Sequence, residues 1–305
     1  MCDLWSIDGE DLDRGYLNLR TAAHREEQNM RGQLDRLWET YAPYADATFR
    51  QGFARDPNAR FWEMYLGCRL LEAGKRLMPA AERPRRGGQP DICVLEDGGR
   101  IWIEAIAPEP GEGEDGVRGP KPINQGGRFG PMPTRQAQLR TTGALLKKTK
   151  VFERYLREGV VDPEDVRIIA IGAGSFGLYA AERPLPLIVS SVFPIGDAYV
   201  TLDRATGEVV GGGYEPSYQI ERRGAAQDSI PRTAFLDPTF EQISAVAWSR
   251  VNIGNMSSEE RPLTLVHNPM AAVPVRQRWG CWDREFVAVR EGDSWAVSDV
   301  LAAGG

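Results

Sequence analysis

Only four cysteines occur in 305 residues (Cys2, Cys68, Cys93 and Cys281), and no two form a Cys-x-x-Cys pair. A disulfide framework and a thiolate zinc site both need closely spaced cysteines, so neither is expected. Histidine is scarcer: His24 and His267 are the only two, too few for a histidine-rich catalytic or metal centre. No apolar run approaches the roughly 18 residues needed to span a bilayer. Met1 to Glu10 is acidic and lacks the basic-then-apolar order of a secretory signal. These absences lead to the expectation of a soluble, cytoplasmic protein that does not enter a membrane. Basic residues are not in excess either. There are 37 Lys and Arg against 43 Asp and Glu, a formal charge of −6, so nucleic-acid binding would have to use local patches. Any chemistry must rest on carboxylates, lysines and hydroxyls.

The 42% of residues that are hydrophobic can fill a substantial core, and no internal repeat stands out. From Tyr16 to about Tyr41 the spacing of Met30, Leu34, Leu37, Trp38 and Tyr41 predicts a helical arm without visible chemistry. Asn58 to Leu77 carries Phe61, Trp62, Tyr65, Leu66, Cys68 and Leu70 at helical spacing, with Gly74 near its end. Asp97-Gly98-Gly99 is a two-residue hairpin signal between a strand at Asp91 to Leu95 and another at Arg100 to Ala107. Pro108 to Gln136 is aperiodic and rich in glycine and proline, which suggests a flap. Leu139 to Arg157 is the clearest helix, with Gly159 at the expected cap. Strands are predicted at Val166 to Ile171, Leu187 to Phe193, Ala198 to Leu202, Ile243 to Trp248, Leu263 to His267 and Glu285 to Val289. The order points to an α/β sheet flanked by helices, with a strand-rich second half. The expected division is an N-terminal helical arm at 1–56, an α/β core at 57–180 and a strand-rich extension at 181–305 packed on that core.

Chemistry concentrates on the hairpin. If Asp97-Gly98 is the turn, Asp91 lies directly opposite Glu104; if Gly98-Gly99 is the turn, the two are diagonal neighbours. Both registers put the carboxylates on one face, where Glu104 sits between Trp102 and Ile106. Paired carboxylates on an apolar face cost several kcal/mol unless a cation compensates. A hard divalent ion would do so, since Mg²⁺ takes one or two carboxylates and completes its shell with water and phosphate oxygens. The alternative is a solvated sheet edge that tolerates both acids. On the following helix Ala144, Leu145, Val151, Phe152, Tyr155 and Leu156 form one stripe with Lys148 near its middle, whereas Lys147 and Lys150 fall outside it. Lysine is rarely placed inward without an acidic partner, although its stem can also pack while the ammonium snorkels outward.

These segments together resemble a known family. Phe61-Trp62-Glu63-x-Tyr65-Leu66, Pro90-Asp91-Ile92, Ile101-Trp102-Ile103-Glu104 and a basic helix leading into Ile168-Ile169-Ala170-Ile171 resemble the PD-(D/E)XK nuclease superfamily, over roughly residues 58–172. The resemblance implies a restriction-endonuclease-like mixed sheet and a nuclease active on DNA, with Mg²⁺ or Mn²⁺ as cofactor. It makes Asp91 and Glu104 the metal ligands and Glu63 an assisting carboxylate. The sequence departs at the second motif, where Glu104-Ala105-Ile106 lacks the lysine of acid-x-lysine; in some branches of the superfamily that lysine migrates to the next helix, where Lys148 stands. The alternative implied is a catalytically inactive module binding nucleic acid or a protein partner. Arg83, Arg85 and Arg86, near Lys75 and Arg76, form a basic cluster before Asp91 that could track phosphates, and Arg140 and Lys147 could add contacts. A homodimer is left open.

Gly172-Ala-Gly174-Ser-Phe-Gly177 after a strand is a literal dinucleotide-binding fingerprint. Pro184 and Pro186 cut the helix that should follow, so a glycine-rich strand exit is preferred. His267 before Asn268-Pro269 is read as a turn residue, and the Trp279 to Trp282 cluster as packing.

Overall fold

The tight Asp97-Gly98 turn fixes the register of the hairpin that it closes. In the computed structural model Gly98 takes a φ of +103°, open to glycine and strained for other residues. Pairing of Glu96 with Gly99 and of Ile92 with Ile103 follows from it. This is the register that sets Asp91 directly across from Glu104. The structure describes residues 3–84, 88–118, 132–179, 185–223, 228–257, 262–292 and 294–302.

Helices α1 (Arg14–Thr21), α2 (Arg25–Tyr41), α3 (Phe49–Arg55) and α4 (Pro57–Glu72) come first. Then follow β1 (Arg76–Leu77), the hairpin β2 (Ile92–Glu96) and β3 (Gly99–Ile106), the long α5 (Thr134–Arg157), β4 (Val166–Gly172) and the short α6 (Val189–Val192). The remainder is β5 (Ile195–Leu202), β6 (Val209–Pro216), β7 (Gln219–Ile220), β8 (Ile230–Pro231), β9 (Ala245–Ser249), β10 (Thr264–His267), β11 (Arg284–Glu291) and β12 (Ser294–Asp299). Eight strands form one sheet in the order β1-β2-β3-β4-β9-β10-β11-β12, with β5–β6 and β7–β8 as separate ribbons. β3, β4 and β9 run parallel, while β2 and β10 run antiparallel to their inner neighbours, so the sheet is mixed. The protein is thus α/β. Four of the eight strands lie beyond residue 180, so the second half continues the central sheet rather than packing on it as an extension.

Alternation along the strands feeds two cores. Ile92, Ile101, Ile103, Ile168, Ala245 and Leu265 face the N-terminal helices. Trp102, Ile169, Ile171, Val246, Trp248 and Val266 face α5 and α6. The centre of β4 is buried on both faces, which is why it reads as a continuous apolar run. Among the described residues no helix is long and apolar enough to cross a membrane.

Several elements differ from their sequence readings. The N-terminal arm breaks where Ala22 turns left-handed at φ +45°, and α2 restarts with His24 and Glu27 in a capping box. The predicted strand at Leu187 to Phe193 contains a short helix instead, because Ser190 and Ser191 turn their hydroxyls back onto the Leu187 carbonyl. The core helix ends at Glu72 and α5 begins five residues before Leu139. At the end of α5, Gly159 at φ +69° closes the helix as expected.

Candidate active site

Asp91 stands at the entrance to β2, held by the hairpin register against β3. Its Oδ2 accepts a hydrogen bond from the Ala105 backbone N–H at 2.7 Å. Glu104 projects from β3 on the α5 side and is 5% exposed. Across the gap, α5 buries Thr141, Leu145, Phe152 and Tyr155 and leaves Lys147 and Lys150 in solvent. Lys148 lies on the inward stripe. Its Nζ donates to Glu104 Oε1 at 2.8 Å and stands 3.9 Å from Asp91 Oδ2. Two acids from the hairpin and one amine from the crossover helix therefore converge. The second oxygen of Glu104, Oε2, is buried and has no hydrogen-bond partner.

Glu63 is a third carboxylate beside them, 3% exposed on α4. Tyr41 Oη donates to its Oε1 at 2.9 Å and Arg60 Nη1 to its Oε2 at 2.7 Å. The same Nη1 lies 3.2 Å from Asp46 Oδ2. Burial first, and then the charge of Asp91, pushes the Glu63 carboxyl up to about 8, against the opposing pull of Arg60 and the Tyr41 hydrogen bond. The same two causes in the same order push Glu104 up to about 8, with Lys148 opposing. Asp91 is thus the shared neighbour of two buried acids.

The helical arm carries more than packing. Tyr41 from α2 and Asp46 from the loop before α3 form the far wall of this acid group, correcting the reading of a segment without chemistry. Tyr41 counts toward an apolar stripe in the sequence, which hides its hydroxyl. The spacing of Arg60 and Glu63, three apart on one helix, is the one available signal for that pair.

The basic residues fare differently. Arg83 is 4% exposed and donates to the carbonyls of Tyr44, Pro90 and Asp91, so it braces the loop before Asp91 and does not offer its charge to a phosphate. Arg85 and Arg86 lie outside the described residues. Lys75 is paired with Glu96 at 2.9 Å. Arg140 is half-buried, donates to the Asp115 carbonyl at 3.1 Å and lies where a side chain on Gly111 would sit, with an added Cβ only 2.1 Å from its guanidinium. It is engaged with the flap rather than free on the surface. Of the basic residues expected to meet nucleic acid, Lys147 is the one among the described residues that is exposed. The flap itself is anchored over 108–118: Arg135 pairs with Asp115 at 2.6 Å and Ser175 Oγ donates to the Pro108 carbonyl at 2.6 Å. Residues 119–131 of it lie outside the described residues, and its last three, Thr134 to Gln136, belong to α5.

The glycine motif serves packing. A Cβ on Gly172 would stand 2.7 Å from the Trp62 ring, and one on Gly174 would stand 2.3 Å from the Val251 carbonyl. At these two positions protein atoms fill the space that a dinucleotide-binding turn would give to a pyrophosphate. His267 Nε2 lies 2.6 Å from the fully buried Glu285, on the sheet face opposite Glu104. Trp279 and Trp282 are buried with ring centroids 6.0 Å apart, as a packing cluster.

Among the described residues no group of three or more His, Cys, Asp and Glu side chains is placed to hold a metal ion. The two carboxylates expected from the sequence to hold a metal, Asp91 and Glu104, therefore stand as a pair without a third such ligand grouped with them among the described residues. Comparison of the chain with protein-family models, with curated proteins and with solved structures gives no match.

Proposed function

We propose that this chain is a metal-dependent nuclease of the PD-(D/E)XK type, with a restriction-endonuclease-like core and DNA as its substrate. The observation that carries the reading is the convergence on Lys148. The motif lysine is replaced by Ile106, yet an ammonium from the next helix arrives at 2.8 Å from Glu104 and 3.9 Å from Asp91. Asp91 and Glu104 would hold Mg²⁺ or Mn²⁺. The partnerless buried Oε2 of Glu104 fits a hard cation's ligand, because a buried carboxylate oxygen without a donor is otherwise costly. When bound, the ion supplies Lewis-acid polarisation of the phosphate and acidifies a coordinated water.

The chain's own residues do the rest. The Ala105 N–H fixes the Asp91 carboxylate at one oxygen, and the Tyr41 hydroxyl and Arg60 guanidinium fix that of Glu63. Lys148 has three N–H bonds, of which Glu104 takes one. The remaining donors can orient an attacking water and stabilise negative charge developing on the phosphoryl oxygens. Lys147, one residue along and in solvent, would meet the phosphate backbone.

A second reading, a catalytically silent module that binds nucleic acid or a protein, has its own support. Lys148 on Glu104 and Arg60 on Glu63 give two of the three acids a cationic partner without any metal. Incubation of plasmid, linear DNA and RNA with Mg²⁺ and Mn²⁺ separates the two. Metal-dependent cleavage by the wild type, lost in Asp91→Ala and Lys148→Ala, supports the nuclease. Identical substrate traces for all three proteins leave the silent module.

A further inference from the structure

Helix α5 runs against the charge of the chain. Between Thr134 and Arg157 it carries seven Lys and Arg against one acid, Glu153, in a protein whose net charge is −6. Among the described residues its ion pairs are those of Arg135 with Asp115 and of Lys148 with Asp91 and Glu104. Lys147, Lys150, Arg154 and Arg157 stand in solvent, and no described carboxylate pairs with them. An exposed row of one sign without counter-charges attracts the opposite sign from solution.

The helical period places these cations relative to the acid pair. Lys148 and Tyr155 are seven residues apart, so they lie on one line, two turns apart, and both turn inward. Lys148 reaches Glu104, and Tyr155 Oη donates to the Gln89 carbonyl at 3.1 Å, two residues before Asp91. Burial, then the charges of Glu104 and Asp91, push the Tyr155 hydroxyl well above its ordinary value, so it stays protonated beside those acids. Lys147 and Arg154 repeat the seven-residue step one position earlier, on the outer flank. The Arg154 guanidinium lies 5.1 Å from the centroid of the Tyr155 ring. Its Nη2 is 3.8 Å from where a side chain on Gly88 would begin, so it overhangs the loop that leads into Asp91.

We infer that a nucleic-acid backbone lies along α5, held by Lys147 beside the point where Lys148 turns in to the acids and by Arg154 two turns beyond, over the Gly88 loop. The two cations are about 10 Å apart along the helix axis, the length of roughly three nucleotides of one strand. The exposed Lys150 lies between them as a further phosphate contact. Arg154 suits the role because its planar guanidinium can present paired N–H groups to a phosphate while its face rests on Tyr155. Arg83 does not share this track, since its N–H groups are taken by carbonyls. An acidic protein segment or an anionic membrane offers the same sign of charge. Nucleic acid is favoured because the cations adjoin a lysine and two acids suited to a phosphoryl group, so the inference rests on the reading of that site as one acting on nucleic acid.

Fluorescence anisotropy of the full chain with labelled single-stranded and duplex DNA and RNA, without divalent metal and over a range of salt, tests the assignment. The wild type should bind at least one of these probes. Lys147→Ala and Arg154→Ala should each lower the slope of log K against log salt by about one, for one lost phosphate contact. Arg154→Glu should weaken binding by about tenfold or more, and Arg25→Glu, an equal change of charge at the exposed start of α2, should weaken it far less. Melting of these variants should be close to wild type, because the three side chains are exposed. A wild type that binds no probe at low salt overturns the inference. So does a salt slope indifferent to both alanine substitutions, or a preference for phosphatidylserine vesicles or a poly-glutamate peptide over every nucleic acid. The nuclease reading fails separately. Binding with the expected slopes but no cleavage in Mg²⁺ keeps the track on α5 and removes the enzyme, whereas cleavage at wild-type KM by the double variant Lys147→Ala and Arg154→Ala keeps the enzyme and removes the track.

Discussion

Arg60 lies across Gly52 so closely that a β-carbon at that position would stand 2.6 Å from its Nε. The glycine of α3 therefore sets the path by which the Arg60 guanidinium reaches Glu63 and Asp46. Gly52→Ala should push the guanidinium aside without unfolding the protein. Helix propensity gains roughly 0.5–1 kcal/mol, which offsets part of the loss of two ion pairs. Its stability by denaturant titration should fall by a few kcal/mol, because the buried Glu63 loses its cation. The loss should shrink in a Glu63→Gln background, where the pair no longer carries charge. Additive effects in that double-mutant cycle would show that Gly52 does not act through Glu63.

On the proposed reading, Lys148 and a divalent cation would compete for the same two acids. Lys148→Met keeps the volume and removes the charge, so it should bind Mg²⁺ more tightly than wild type while losing cleavage. Calorimetric titration measures the first effect and a plasmid assay the second. Weaker Mg²⁺ binding by Lys148→Met would place the ion elsewhere.

Stability without added metal should fall with rising pH. Glu63 and Glu104 each have a folded-state pKa raised to about 8 above an unfolded value near 4.5. In that window the folded chain holds more protons than the unfolded one, so the stability present below about pH 4.5 is lost as pH rises through about 8. Melting temperatures should decline between pH 5 and 8.5, less steeply in Glu104→Gln, with Mg²⁺ offsetting the decline most at the alkaline end. A flat profile would show that both acids are compensated.

Gly172→Ala should destabilise the core through the Trp62 ring, which is fully enclosed and donates to the Ala170 carbonyl at 3.0 Å. Overpacking of this kind costs about 1–3 kcal/mol, readable as a lowered urea midpoint. Trp62→Phe in the same chain should relieve part of it by vacating the contact.

Much of this site was legible because it depends on local periodicity. The two-residue turn determines which residues oppose each other on the hairpin, and the helical period of 139–157 singles out Lys148 from Lys147 and Lys150. What the sequence could not reveal depends on distant packing. Arg83 reads as part of a solvated basic loop, because only the fold brings the Tyr44 carbonyl to it. Tyr41 reads as an apolar stripe residue, because its partner Glu63 lies 22 positions away. The strands at 209–216 and 294–299 were missed: glycine breaks the pattern of the first, and partial exposure blurs that of the second.

The junction of β4 with β9 orders events during synthesis. The acid pair and its lysine are all delivered by residue 148, yet β4 acquires its second neighbour only when Ala245–Ser249 emerges. Until then the ladder of Ile168–Gly172 is bare on one side and its flanking isoleucines are uncovered, an aggregation hazard for any nascent chain halted there. A fragment ending at residue 180 should accordingly collect in the insoluble fraction, while the whole chain should melt in one transition across both ends of its sheet.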